Sequence, residues 1–235
     1  MLPTVLIHGG CCTGAIWSRM TARMAGRTLA VDLPGRNDPT RHAEATFTGW
    51  AQAVVDDMDA AGMDRAVLVG HSMAGGTLAA MARLFPERVA GVIYFSAVVA
   101  PHDRPFLEGL SDKQQDYMRS NLAAGVVTLS RAPVGEVETL TSNRAFVREA
   151  ESSEALLPFF EPVSLEGLAG TRVGFVKLLR DRSIDLARQD LFIARLREFA
   201  PCEVREVAGN HMAMANSPAE SAEAIDSLVA RFGAG

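Results

Sequence analysis

The sequence predicts a doubly wound α/β fold: a mainly parallel, six-stranded sheet with helices on both faces and a small helical cap inserted after the fourth strand. Three observations lead there. Short apolar runs recur along the chain, amphipathic stretches with three- and four-residue apolar spacing separate them, and residues 101–170 interrupt that alternation with a long stretch of mixed polarity. Strands of a parallel sheet are covered on both faces by crossover helices, so they read as continuous apolar runs. A chain of 235 residues with 48% hydrophobic content can bury one large core. We therefore read a single domain over 1–235, its core formed by 1–100 and 171–235 and its cap by 101–170.

The elements follow in order. TVLIH at 4–8 and TLAVD at 28–32 give the first two strands, AVLVG at 66–70 the third and GVIYFSA at 91–97 the fourth. VGFVKLL at 173–179 and EVREV at 203–207 complete the six. Between them, residues 47–62 and 73–85 carry helical periodicity, and the second stretch stops at Pro86, where a helix must end. The chain contains no internal repeat and no low-complexity tract.

Composition removes several classes of function. The formal net charge is −5, and no block of lysine or arginine forms the basic stripe that a nucleic acid would require. Cys11 and Cys12 are adjacent and Cys202 stands alone, which gives neither a disulfide framework nor the paired spacing of a zinc site. The opening MLPTVLIHGG reads as a first strand rather than a signal peptide, and the longest apolar run, VAGVIYFSAVVA, is too short to span a bilayer. The expectation is a cytoplasmic protein in a reducing compartment, without metal, cofactor, nucleic-acid or membrane partner. A homodimer is left open.

Chemistry enters at VGHSMAGG, residues 69–76. A G-x-S-x-[GA] pattern arises by chance in about one chain in six of this length, so its context decides. Here the serine follows a buried-type strand and opens a helix, which is the strand-turn-helix of a nucleophile elbow. Such an elbow strains the serine backbone and needs small neighbours, and Gly70, Ala74, Gly75 and Gly76 supply them. Ser72 is the candidate nucleophile. A serine hydroxyl needs a base, and the base needs an orienting acid. Of five histidines, His211 follows the last strand, at the sheet edge where the Ser72 loop also emerges. Asp181 comes first in the loop after the fifth strand, flanked by Arg180 and Arg182 as competitors, whereas Asp185 and Asp190 fall at or inside the next helix. The backbone N–H groups of Met73 and Gly10 are the candidate oxyanion donors.

LIHGG, VDLPGR at 31–36, GHSMAGG, the Asp181 loop and GNHMAM occur in the order of the α/β-hydrolase superfamily signposts. The chain is identified as resembling its plant-type hydroxynitrile lyase and methylesterase branch, which includes methyl salicylate esterases. The resemblance implies the α/β-hydrolase fold and a Ser72, His211, Asp181 triad. Met212 stands where the lyases carry lysine, as it does in the esterases, and Cys12 replaces a histidine in the first loop. The span from Ser72 to Asp181 is shorter than in that branch, which implies a smaller or more open lid.

The candidate substrate-lining residues are Cys11, Cys12, Trp17, Phe106, Tyr117, Met118, Phe146, Leu157, Phe159, Phe160 and Met212, a largely apolar set. No arginine or lysine stands out for an anionic acyl group. The expected function is a serine hydrolase acting on a small neutral carboxylic ester through an acyl-enzyme, without cofactor. Two alternatives stay open: lyase, cyclase or lactone chemistry on the same triad, and a small-ligand receptor.

Overall fold

The structure, a computed structural model, describes residues 1–36, 41, 44–129 and 141–234, so residues 130–140 of the expected cap lie outside the described residues. Six strands form one all-parallel sheet: β1 (Thr4–Ile7), β2 (Thr28–Val31), β3 (Ala66–His71), β4 (Val89–Phe95), β9 (Val173–Leu178) and β10 (Cys202–Val207). Their spatial order is β10-β9-β4-β3-β1-β2. All six match the expected runs, with ends moved by one or two residues. β3 and β4 are buried along their whole length, as strands covered on both faces must be.

Helices close both faces. On one side Phe47–Ala60, Ala74–Leu84 and Leu186–Arg197 pack a core that includes Phe47, Trp50, Leu78 and Phe192. On the other, the short helices Ser18–Thr21 and Ala213–Asn216 and the long helix Pro218–Gly233 bury Trp17, Met20, Ile225 and Phe232. Side-chain caps fix two of the starts. Thr46 accepts the Gly49 N–H at 2.9 Å, and Asp185 accepts the Arg188 N–H at 2.8 Å. No helix among the described residues is long and apolar enough to cross a membrane.

Two glycines let the Ala74–Leu84 helix sit close to its neighbours. A methyl at Gly75 would overlap the Val98 carbonyl oxygen, and one at Gly76 would overlap the Phe47 ring. The helix is thereby held directly behind the elbow it opens.

The segment between β4 and β9 folds differently. Its described residues form a three-turn helix (Asp112–Ala123), a shorter one (Arg144–Glu149), several 3-10 turns, and two-residue antiparallel ladders of β5 (Arg104–Pro105) with β8 (Pro162–Val163) and β6 (Thr128–Leu129) with β7 (Glu154–Ala155). It lies over the carboxyl ends of the parallel strands. The strand order reverses between β1 and β3, and a crevice outside the carboxyl ends of strands at such a switch is the usual binding place of an open α/β sheet.

Candidate active site

Three loops that leave the same sheet edge bring Ser72, His211 and Asp181 together. Ser72 follows β3 with φ 53°, the left-handed region that costs a non-glycine residue about 1–2 kcal/mol. The His211 Nε2 lies 3.1 Å from the Ser72 hydroxyl, and its Nδ1 lies 2.7 Å from Asp181 Oδ2. His211 and Asp181 are both buried. With a carboxylate on Nδ1, that nitrogen carries the proton, and Nε2 is left free to accept the serine's.

The Asp181 carboxylate is saturated with donors. Oδ1 accepts the Ser183 and Ile184 N–H groups, each at 2.8 Å, and Oδ2 accepts the Ser96 hydroxyl at 2.7 Å besides His211. Burial alone would raise this acid, but the His211 charge and hydrogen bond, the Ile184 amide and Ser96 outweigh it, holding Asp181 below the usual carboxylate range. The flanking Arg180 and Arg182 are both exposed, whereas the Asp181 carboxylate is buried.

Two further histidines hold the frame. His71 Nε2 lies 3.0 Å from the His211 carbonyl oxygen, so it carries the hydrogen and donates it; among the described residues the Nδ1 has no hydrogen-bond partner. The two ring centroids are 4.5 Å apart, with the planes tilted by 46°. Burial, then the neighbouring His211 charge, push the His71 imidazole well below its ordinary value, which keeps it neutral. His8 accepts the Leu33 N–H at 3.2 Å and donates to the Gly9 carbonyl at 2.9 Å, tying the loop after β1 to the loop after β2. Burial and Arg36 lower it to about 3.

The loop after β1 packs on the elbow. A Cβ at Gly9 would lie 3.0 Å from the Ser72 Cβ, and one at Gly10 would lie 3.9 Å from the Met73 Cβ. Gly10 and Met73 both line the cavity beside Ser72, and among the described residues neither of their N–H groups has an acceptor. Cap residues clamp this loop from above. The Cys11 N–H donates to Glu154 at 2.9 Å, the Ser152 N–H to the Cys11 carbonyl at 2.9 Å, and the Thr13 N–H to the Ala150 carbonyl at 2.8 Å. Glu154 is itself buried and ion-paired with Arg36.

These groups open into a cavity of about 650 Å³. Of the residues expected to line it, Cys11, Cys12, Phe106, Tyr117, Met118, Phe159 and Met212 do so. Four do not. Trp17 is fully buried in the core against Phe95 and His71, and Phe146 packs under the Arg19 guanidinium. Leu157 is exposed, and Phe160 packs on the core. An apolar side chain in a cap segment of unknown path gives no sign of which side it faces. Burial raises the Cys12 thiol to about 12, so it is neutral and no rival nucleophile. Among the described residues, no group of three His, Cys, Asp or Glu could hold a metal ion.

Sequence reasoning missed Ser96, Glu154 and the cavity-lining cations Lys113 and Arg188, and it named Arg182 only as a competitor for Asp181, not as part of the cavity wall. Ser96 carried a signal, as a polar residue directly after a fully apolar strand, but it had been read as part of that strand. The others come from separate segments whose meeting needs the tertiary fold.

The family profile described as "Alpha/beta hydrolase family" matches residues 4–224. A haloalkane dehalogenase of Sphingobium indicum is 26% identical over 268 aligned positions, covering 98% of this chain and 89% of the relative. Methylesterase 10 of Arabidopsis thaliana is 33% identical over 108 positions, 43% of this chain and 39% of the relative. Among solved structures, an extracellular alpha/beta-hydrolase from a Paenibacillus species superposes with a TM-score of 0.83 at 18% identity, over 97% of this chain and 99% of that one. That likeness is one of fold.

Proposed function

Because the chain belongs to the alpha/beta hydrolase family, we propose that it is an esterase-type hydrolase that cleaves a small carboxylic ester, its neutral acyl group lying against the apolar wall of the cavity. One observation carries the reading: a serine hydroxyl at 3.1 Å from an imidazole whose other nitrogen is 2.7 Å from a carboxylate, at the foot of a cavity with two free N–H groups beside the serine.

Each group then has a task. Ser72 Oγ attacks the ester carbon while His211 Nε2 takes its proton, and Asp181 balances the imidazolium. The carbonyl oxygen, now an anion, accepts the Gly10 and Met73 N–H groups. The C–O bond breaks as His211 returns the proton to the leaving alcohol, and water repeats the sequence on the acyl-enzyme. Methylesterase 10, by its name, supports ester substrates.

The name of the dehalogenase relative does not carry over, on chemical grounds. Displacement of halide by Ser72 would leave an alkyl ether, which has no carbonyl for water to attack, so the enzyme could not turn over. An acyl ester does have one. The three cysteines are buried and none is in a disulfide, in keeping with a cytoplasmic setting.

Treatment with a fluorophosphonate followed by peptide mass spectrometry tests the assignment, and the label is expected on Ser72. Ser72→Ala, in protein free of host esterases, should lower turnover of an activated aryl ester by about 10⁴-fold or more. A label on another residue, or activity that survives the substitution, would overturn it.

A further inference from the structure

Lys113, Arg182 and Arg188 line the same cavity as Ser72 and come from three separate places. Lys113 stands in the first turn of the Asp112–Ala123 helix, Arg182 follows Asp181 in the loop after β9, and Arg188 lies in the first turn of the Leu186–Arg197 helix. Arg188 Nη1 donates to the Gly109 carbonyl at 3.1 Å, a few residues before Lys113, and so draws the two helix starts together. Ser183 and Ile184, next to Arg182, continue the same wall.

The carboxylates of the cavity are at its other end. Glu151 and Glu154 belong to the cap strip beside Cys11 and Cys12, where Cys12 forms a backbone bridge to Glu151. Glu154 is already ion-paired with Arg36. The wall is therefore polar end to end, with cations toward the Asp181 loop, carboxylates toward the oxyanion loop, and apolar side chains between. Arg188 is half-buried and Lys113 and Arg182 are exposed at the rim, so this end of a concave surface carries more positive charge than the end with Glu151 and Glu154, in a chain of formal net charge −5.

The side of the cavity fixes the part of the substrate that meets the charge. Arg182 comes from the loop whose Asp181 holds His211, and His211 protonates the leaving alcohol; the oxyanion loop is at the opposite, acidic end. We infer that the cationic end receives a carboxylate carried by the alcohol portion, so that the preferred substrates are esters of a short hydroxy acid with a neutral acyl group. This rests on the ester hydrolysis proposed above. Hydrolysis of such a substrate adds one water and gives the free acyl acid and the hydroxy acid.

The test compares release of acetate from 4-acetoxybutanoate and from 4-acetoxybutanamide, which differ only in that charge. The anion is expected to have the higher kcat/KM by roughly tenfold at low ionic strength, an advantage that shrinks toward unity in about 0.5 M salt as the charges are screened. Arg188→Gln and Lys113→Gln should each cut the ratio by about threefold. Arg188 also holds Gly109, so the exposed Lys113 provides the cleaner variant. Equal rates, or preference for the amide, would overturn the inference. So would a charge preference seen only in the acyl portion, with monoethyl glutarate favoured over its amide counterpart.

If none of these esters is cleaved, the hydrolytic reading fails and the charge site is still tested by binding. In that case 4-hydroxybutanoate should raise the melting temperature where 4-hydroxybutanamide does not, and Lys113→Gln should reduce the shift. Equal shifts from the two compounds would overturn the site.

Discussion

The strand ends that carry Ser72, His211 and Asp181 and the cap segment that faces them differ in what holds their backbones. Below the cavity, the loops emerge from β3, β9 and β10 in a ladder of paired strands, and buried imidazoles at His8 and His71 tie one loop to the next. Above it, the Asp112–Ala123 helix buries none of its residues. It relies on a capping box, Ser111 with Gln114, and on a bond from the Gln115 side chain to the Leu110 carbonyl. The groups proposed to react thus sit where positions are over-determined, while the groups proposed to choose the substrate sit partly on an element with few constraints. A rigid floor under a loosely held roof suits a site whose chemistry must be accurate to a fraction of an ångström.

The contrast is sharpest at two glycines. In Gly75→Ala the added methyl meets the Val98 carbonyl, a backbone atom that cannot move aside because the Val98 N–H donates to the Ser72 carbonyl at 2.8 Å. We expect a loss of more than about 3 kcal/mol, or no folded protein. Gly125, at the end of the cap helix, has φ 76° and open space where a Cβ would go. Gly125→Ala should cost only about 1 kcal/mol, the price of the left-handed backbone. Chemical denaturation of both variants measures this, and equal losses would erase the difference between floor and roof.

Acid should attack the floor next. His8 is lowered from 6.5 to about 3 and His71 also lies well below its ordinary value, so both are neutral when folded and take protons when unfolded. Between pH 6.5 and about 3 the unfolded chain therefore binds more protons, and stability falls as pH drops through that window. The depressed Asp181 carboxyl adds to the loss only lower, as pH falls through its folded value. The cap's Glu154 and Glu161 are raised by burial, so they favour the folded state as they protonate and oppose the trend. A melting temperature that declines from pH 6.5 to 4.5 is the expected outcome. A level profile would mean that the floor histidines are hydrated or charged.

The same division explains which features are legible in the sequence. The six strands were legible because each is buried on both faces and so leaves an unbroken apolar run. Ser72, Asp181 and His211 were legible because a parallel sheet sends every loop after a strand to one edge, which turns order in the chain into proximity in space. Phe146, Leu157 and Phe160 were misplaced because no such rule governs a cap built of 3-10 turns and two-residue ladders. Lys113 and Arg188 went unnoticed for the same reason: their approach depends on one bond from Arg188 to the Gly109 carbonyl, and no local pattern encodes it.

A matched pair of substitutions across the cavity gives the smallest effects and the finest test. Ser96, at φ 41° after β4, donates to the same Asp181 oxygen that faces His211, and it is fully buried and does not line the cavity, so the role it can have is to position. Removing that donor in Ser96→Ala leaves more charge on the oxygen facing His211 and frees the carboxylate to turn. We expect kcat to fall about tenfold, KM to change little, and the acid limb of kcat/KM to move to higher pH. Tyr117 lines the roof and is half exposed. Tyr117→Ala should raise KM about two- to fivefold with kcat and the pH profile unmoved, because it removes contact made equally in ground and transition states. If Ser96→Ala instead changed KM alone, the carboxylate would be held well enough by its two backbone donors, and the floor would be less dependent on side-chain bonds than its geometry implies.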